Sequence, residues 1–330
     1  TRSLCDWSSD VCSSDLYESY NSLDPLDTYA SDDYYGFLED DEGRWEEIRG
    51  GNHTMDIGVG RFPVTTGEEA RAVVDKAIRY DSDARSLGAW RNEIVFVADD
   101  GDVNIHQRQA NDLTRFVDTT FSDFNSNKLY LDEFPQVSRP NGQTSPKARK
   151  ALEDAIEKGA LVINFTGHGG EIGWMDEQVL DLFLIDDLQN RNKLSLFVTA
   201  TCEFTRHDDP KRASGGELTV TSERGGGIAI VSTSRPVRSN SNFALNKEFF
   251  NHIFHQENGE FLRLGDIFRL TKNGSVDLAT DTRKVGNRNF ALLGDPSLRL
   301  AYPENSIVIT DILENSSLTD TLRALAKTKI

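Results

Sequence analysis

The sequence comprises 330 residues, with 36 Lys and Arg against 54 Asp and Glu, a formal net charge of −18 at pH 7. So acidic a balance argues against a nucleic-acid partner, which would need clustered lysines and arginines to neutralise phosphates. No apolar run approaches the roughly 18 residues of a membrane-spanning helix, and the length suits one large or two medium domains with buried cores.

In residues 1–16, TRSLCDWSSDVCSSDL, Thr1-Arg2 and Asp6–Leu16 fit the translation of a common short-read sequencing adapter, with Ser3–Cys5 over its variable barcode. They are set aside as an artefact, so the want of a leader sequence carries no information about location. Cys5 and Cys12 fall inside this stretch and leave Cys202 as the single natural cysteine. An internal disulfide is then impossible and the redox compartment stays open.

Residues 17–56, rich in Asp, Glu and Tyr, read as irregular, holding at most a short strand near Tyr34–Leu38. Ile57–Val64 reads as a strand leaving through Pro63. Thr66 caps a helix over Gly67–Tyr80, with Glu68 and Glu69 in the first turn, where the helix dipole favours negative charge. Its apolar positions Ala70, Val73, Val74, Ala77 and Ile78 predict one buried stripe.

From Asn92 onward strands and helices alternate: a strand at Glu93–Ala98, a helix at His106–Thr119 and a strand at Lys128–Leu131. A helix follows over Ser145–Lys158, with Pro146 at its first position and Gly159 ending it. Leu161–Phe165, Leu194–Ala200 and Gly227–Thr233 are continuous apolar strands, and Phe243–Phe254 is helical. Phe290–Leu300 reads as strand, tight Gly-Asp-Pro turn, strand. Such runs joined by helices predict an α/β fold, with a mostly parallel sheet covered on both faces. Ser306–Ile330 is expected to begin a further β domain.

Open parallel sheets place reacting groups just past the carboxyl ends of their strands. One expected strand runs out into Thr166-Gly167-His168-Gly169-Gly170, and another into Ala200-Thr201-Cys202-Glu203. A thiol needs a base or imidazolium beside it to act as a nucleophile at neutral pH, and histidine can take that proton and return it to a leaving amine. Taken singly, a cysteine at a strand end is more often a small buried hydrophobe and a histidine a surface residue. Their joint placement, with glycines around one of them, favours Cys202 as nucleophile and His168 as general base and acid. The backbone amides of Gly169 and Cys202 are the expected donors to a developing oxyanion.

These segments resemble the gingipain-type cysteine peptidases. Asn164-Phe165-Thr166-Gly167-His168-Gly169 with Glu171 and Gly173-Trp174 is similar to the family's histidine motif, Ala200–Glu203 to its nucleophile segment, and Leu293–Leu298 to its closing segment. The stretches TCEFTRHDDP, SGGEL (Ser214–Leu218), GGGIAIVSTSRPV and VADDGD (Val97–Asp102) look most like the sortase-type members that serve the type IX secretion system. The resemblance implies a caspase-like fold in two subdomains, residues 17–88 (partial) and the catalytic 89–303, with 304–330 opening a truncated β-sandwich-like domain. It also implies an enzyme on the outer-membrane surface of Bacteroidota, held there by an anchoring partner. Its reaction would remove a C-terminal secretion domain from protein cargo through a thioester, with an amine of anionic lipopolysaccharide as acceptor. A purely hydrolytic protease and an inactive scaffold are the competing readings. Hydrolysis after Arg or Lys would need an acidic pocket residue that the sequence does not reveal, and the presence of both His168 and Cys202 argues against the scaffold.

The family orients its catalytic histidine with an acidic side chain, and at the matching place this chain offers His106, a candidate orienting residue. Gingipain relatives bind calcium, so structural calcium is conceivable, but Asp208-Asp209 lacks spaced oxygen ligands and reads as a solvated loop. No metal or other cofactor is expected in the site. Gly225-Gly226-Gly227 reads as a turn rather than a phosphate loop, since no Lys-Ser/Thr follows. Asn52, Asn164, Asn273 and Asn315 fit the glycosylation pattern as noise, and His207 and His252 read as surface residues.

Overall fold

Continuous apolar runs build a six-stranded sheet at the centre of the computed structural model. It describes residues 30–40, 54–140, 142–275 and 287–303, with the backbone of four two-residue strands outside them. The adapter-like residues 1–16 and most of 304–330 lie outside the described residues.

The sheet strands are β1 (Glu93–Ala98), β2 (Asn125–Tyr130), β3 (Val162–Thr166), β4 (Ser195–Ala200), β5 (Gly227–Thr233) and β6 (Phe290–Leu293). Their order is β6-β5-β4-β3-β1-β2, parallel throughout except for β6, which runs antiparallel to β5. The helices are α1 (Gly67–Ser82), α2 (Gly101–Thr120), α3 (Pro146–Lys158), α4 (Leu182–Asp187), α5 (Gly215–Thr221), α6 (Ser239–His252) and α7 (Leu264–Gly274).

Alternate strand residues feed two separate cores. Ile94, Phe96, Leu196 and Val198 pack with Leu113 and Val117 of α2 and Phe249 and Phe250 of α6. Val95, Val97, Ile163, Phe165 and Phe197 pack on the other face with Leu152 and Ile156 of α3 and Val220 of α5. Both faces being dry, these strands read in sequence as unbroken apolar runs rather than alternating ones.

Several local expectations are corrected. Tyr34–Leu38 is no strand, since Asp33–Gly36 forms a 3-10 turn. Ile57–Val64 contributes only a single bridge, Arg61 to Leu293, because Gly58 lies so close to Gly265 that an added Cβ would stand 2.3 Å from its backbone. The second half of Phe290–Leu300 follows the turn at Gly294-Asp295-Pro296 without forming a strand, although Leu298 and Leu300 are buried.

In α1 the capping box of Thr66 and Glu69 forms, but the buried face is Val73, Lys76 and Tyr80, while Val74 and Ile78 stay exposed. The reason is Lys76, whose ammonium donates to Val220 O at 2.8 Å and Thr219 O at 3.4 Å and so satisfies the open carbonyl end of α5. Burial, with Arg79 nearby, pushes its pKa down to about 7.

Candidate active site

Three neighbouring strands deliver the polar residues. Thr166 at the end of β3 is register partner to Ala200 at the end of β4 and to Ala98 at the end of β1. His168 and Cys202 therefore leave level positions on adjacent parallel strands, about 4.8 Å apart in the hydrogen-bonding direction. Gly169 lies against the cysteine segment, where an added Cβ would stand 2.4 Å from Thr201 Oγ1.

Just past β1, the Asp99 carboxylate accepts the backbone N–H groups of His168 at 2.8 Å and Gly101 at 3.2 Å, fixing the histidine loop to the next strand. The chain then makes a left-handed turn, with φ of 54°, 56° and 58° at Asp102, Val103 and Asn104. Three consecutive non-glycine residues in this region, one of them β-branched, are costly for L-amino acids. Side chains brace the turn: Asn104 donates to Asp132 at 2.8 Å and Arg108 to Val103 O at 2.9 Å.

The turn brings Asp102 Oδ2 to 3.2 Å from His168 Nε2 and 3.6 Å from His106 Nε2. The rings of His106 and His168 meet edge to face, centroids 5.0 Å apart. His106 is buried, and among the described residues neither of its nitrogens has a hydrogen-bond partner closer than Asp102 at 3.6 Å. Burial and the neighbouring His168 push its pKa down, against the opposing pull of Asp99 and Asp102, so its ring is held neutral at neutral pH. His106 thus packs against His168 without bonding to it, and the carboxylate in reach of His168 is Asp102. The sequence reading passed over Asp102; the i, i+4 spacing of Asp102 and His106 was the available signal.

Cys202 is half-buried, and among the described residues its Sγ is hydrogen-bonded to Val237 O at 3.7 Å. Burial pushes the thiol pKa up, helped by Glu203 and opposed by the Val237 contact. The resting sulfur keeps its proton at neutral pH and has to surrender it to a base before attacking.

The histidine and cysteine loops are tied together. Glu171 accepts from Arg206 at 2.6 Å and from Arg212, and its carbonyl accepts from Gly215 N at 2.7 Å. Beneath both loops Trp174 is fully buried, stacked on Phe165 of β3 at 4.4 Å and packed on Phe197 of β4 and on Phe204.

Two readings of nearby residues are corrected. Asp208 is no solvated loop residue: its carboxylate is buried against Arg235, with one bond at 2.8 Å. The ring of His207 is buried too, with Nδ1 at 2.8 Å from Thr205 O. Asp208 depends on Arg235, 27 residues away, and His207 Nε2 lies 3.9 Å from Asp32. His252 is partly buried and lies 2.9 Å from Glu248. Gly226 takes a φ of +87° in the turn entering β5, and no helix starts there. Asn164 donates to Val198 O and Asn246 inside the core, where no glycan fits.

The sheet order and the helices on both faces define a gingipain-type, caspase-like α/β fold. The sequence matches Peptidase family C25 over residues 7–301, and the chain belongs to that family; the match begins inside the stretch read as adapter. Gingipain R2 of Porphyromonas gingivalis is 24% identical over 166 residues, which is 47% of this chain and 20% of that protein. Gingipain R1 of the same organism is equally similar over 15% of its length, so the chain spans a fifth or less of these curated relatives. The crystal structure of the Arg-specific cysteine proteinase gingipain R (RgpB) superposes with a TM-score of 0.66 at 18% identity, covering 82% of this chain and 60% of the other. The complex of RgpB pro- and mature domains gives 0.65 over the same shares.

Proposed function

We propose that this chain is the catalytic part of a sortase-type cysteine peptidase resembling PorU of the type IX secretion system. The single observation that carries the chemistry is the level exit of His168 and Cys202 from adjacent strands, with the Asp102 carboxylate 3.2 Å from His168 Nε2. Since Nε2 faces Asp102, Nδ1 is the nitrogen left to exchange protons with the substrate side. His168 takes the Cys202 proton, the thiolate attacks the scissile carbonyl, and the oxyanion is received by the amides of Gly169 and Cys202. His168 then protonates the leaving amine, and a thioester remains on Cys202. Asp102 stabilises the imidazolium formed on the way.

The finer reading is that the thioester carries protein cargo freed of its C-terminal secretion domain and is resolved by an amine of anionic lipopolysaccharide. The enzyme would be held at the cell surface by an outer-membrane anchoring partner. Its support is the sequence of the rim: Arg206, Asp208 and Arg235 lie in segments similar to the secretion-system enzymes. Among the described residues no helix is long and apolar enough to cross a membrane.

Incubation of the full-length enzyme with cargo bearing its C-terminal domain, with and without an amine acceptor, tests this by mass spectrometry. The expected product is the cargo–amine conjugate. A product carrying only water makes the enzyme a plain protease, and uncut cargo removes the peptidase reading.

The orienting role has its own test. Asp102→Asn is expected to lower kcat/KM by about ten- to a hundredfold, less than the roughly 10⁴-fold known for a buried orienting aspartate, because solvent screens this exposed carboxylate. His106→Ala is expected to cost less. The reverse ranking would return the orienting role to His106.

A further inference from the structure

We propose that Asp99, His106 and His168 form a site for a divalent transition-metal ion of the zinc class, and that the bound ion holds the peptidase inactive by taking the Nε2 of His168 that otherwise faces Asp102, where its charge opposes proton uptake at Nδ1. This rests on the role of His168 as proton acceptor proposed above. One donor atom from each of the three residues lies within 4.8 Å of the other two. Two imidazoles and a carboxylate are a donor set that zinc accepts, with a further position left for water.

The observation that points to a ligand is His106. The residue is only 5% exposed, yet among the described residues Nδ1 has no partner and Nε2 only the long 3.6 Å approach to Asp102, and the ring faces His168 edge-on at 5.0 Å. A buried imidazole normally spends both nitrogens on partners, and a metal ion would satisfy one of these. Asp99 is already held by the backbone N–H groups of His168 and Gly101, so its carboxylate is pre-set and keeps lone pairs for an ion. On its other side the carboxylates of Asp100 and Glu177 cluster with that of Asp99, concentrating cations beside the imidazoles.

The Cys202 thiol is not among these donors, its sulfur being engaged with Val237 O. That separates the proposed site from the common case of zinc seizing a catalytic thiolate.

The test is a Co²⁺ titration of the full chain, followed by visible d–d absorption and by competition with Zn²⁺. One tightly bound ion is expected, with Cys202→Ala binding as the wild type does. His106→Gln and, separately, His168→Gln should each weaken binding by at least about tenfold. The His168 variant guards against misfolding in the other, because its side chain is 52% exposed. Wild-type affinity in both variants, or loss of binding in Cys202→Ala, overturns the site. Because the titration needs no substrate, it is decided whether or not the chain cleaves cargo. If it does, Zn²⁺ should stop turnover of the wild type at the concentration that displaces Co²⁺, and chelation should restore it. Undiminished turnover with the site filled overturns the inhibitory role.

Discussion

Cys202→Ala is expected to lower cargo cleavage by about four orders of magnitude or more while leaving the thermal melt almost unchanged. The substitution removes one sulfur atom whose only hydrogen bond among the described residues is the long contact to Val237 O, so little packing is lost. What disappears is the atom that forms the thioester, and nothing nearby replaces it. His168→Ala should cost about as much, because the thiol's pKa is pushed up by burial and no attack begins until a base takes its proton. The double variant should be no slower than either single one, since the two side chains serve one step. Cleavage by mass spectrometry beside a thermal melt measures both quantities. Cargo still trimmed by Cys202→Ala would end the peptidase assignment, and a collapsed melt would show the sulfur to be structural packing instead.

The parts of this molecule legible in sequence are those fixed by local chemistry. Strands β1, β3, β4 and β5 were readable because burial on both faces demands unbroken apolar runs, and α3 because Pro146 and Gly159 mark its ends. His168 and Cys202 stood out as polar breaks after two such runs. The illegible parts depend on partners far along the chain. Lys76 turns α1 onto an unexpected face only because α5 offers it carbonyls 143 and 144 residues away. Asp208 is held by Arg235, 27 residues on, and His207 lies beside Asp32 at 3.9 Å, which no local rule reveals. Asp102 was hidden for a different reason: its position comes from a left-handed turn through Val103, a β-branched residue that propensity places anywhere else. Strain of this kind beside a reacting group is where sequence rules are expected to fail.

Trp174→Ala is expected to destabilise the fold by about 3–5 kcal/mol, a large share of the 5–15 kcal/mol typical of a domain. Trp174 is fully buried and joins three pieces of the site's support: Phe165 from the histidine strand, Phe197 from the cysteine strand and Phe204 from the cysteine loop. Its own backbone pairs with Gly169, beside His168. Removing the indole leaves a cavity under both loops, so turnover per folded molecule should fall as well, since a misplacement of about 1 Å can cost a hundredfold. Trp174→Phe should be far milder. It keeps the stack on Phe165 and also removes an indole N–H that is buried without a hydrogen-bond partner among the described residues, a group whose desolvation works against folding. Denaturant melts set beside kcat measured on the folded fraction separate the two effects. A destabilised Trp174→Ala protein with undiminished kcat would show that the aromatic cluster supports the fold and plays no part in placing His168 and Cys202.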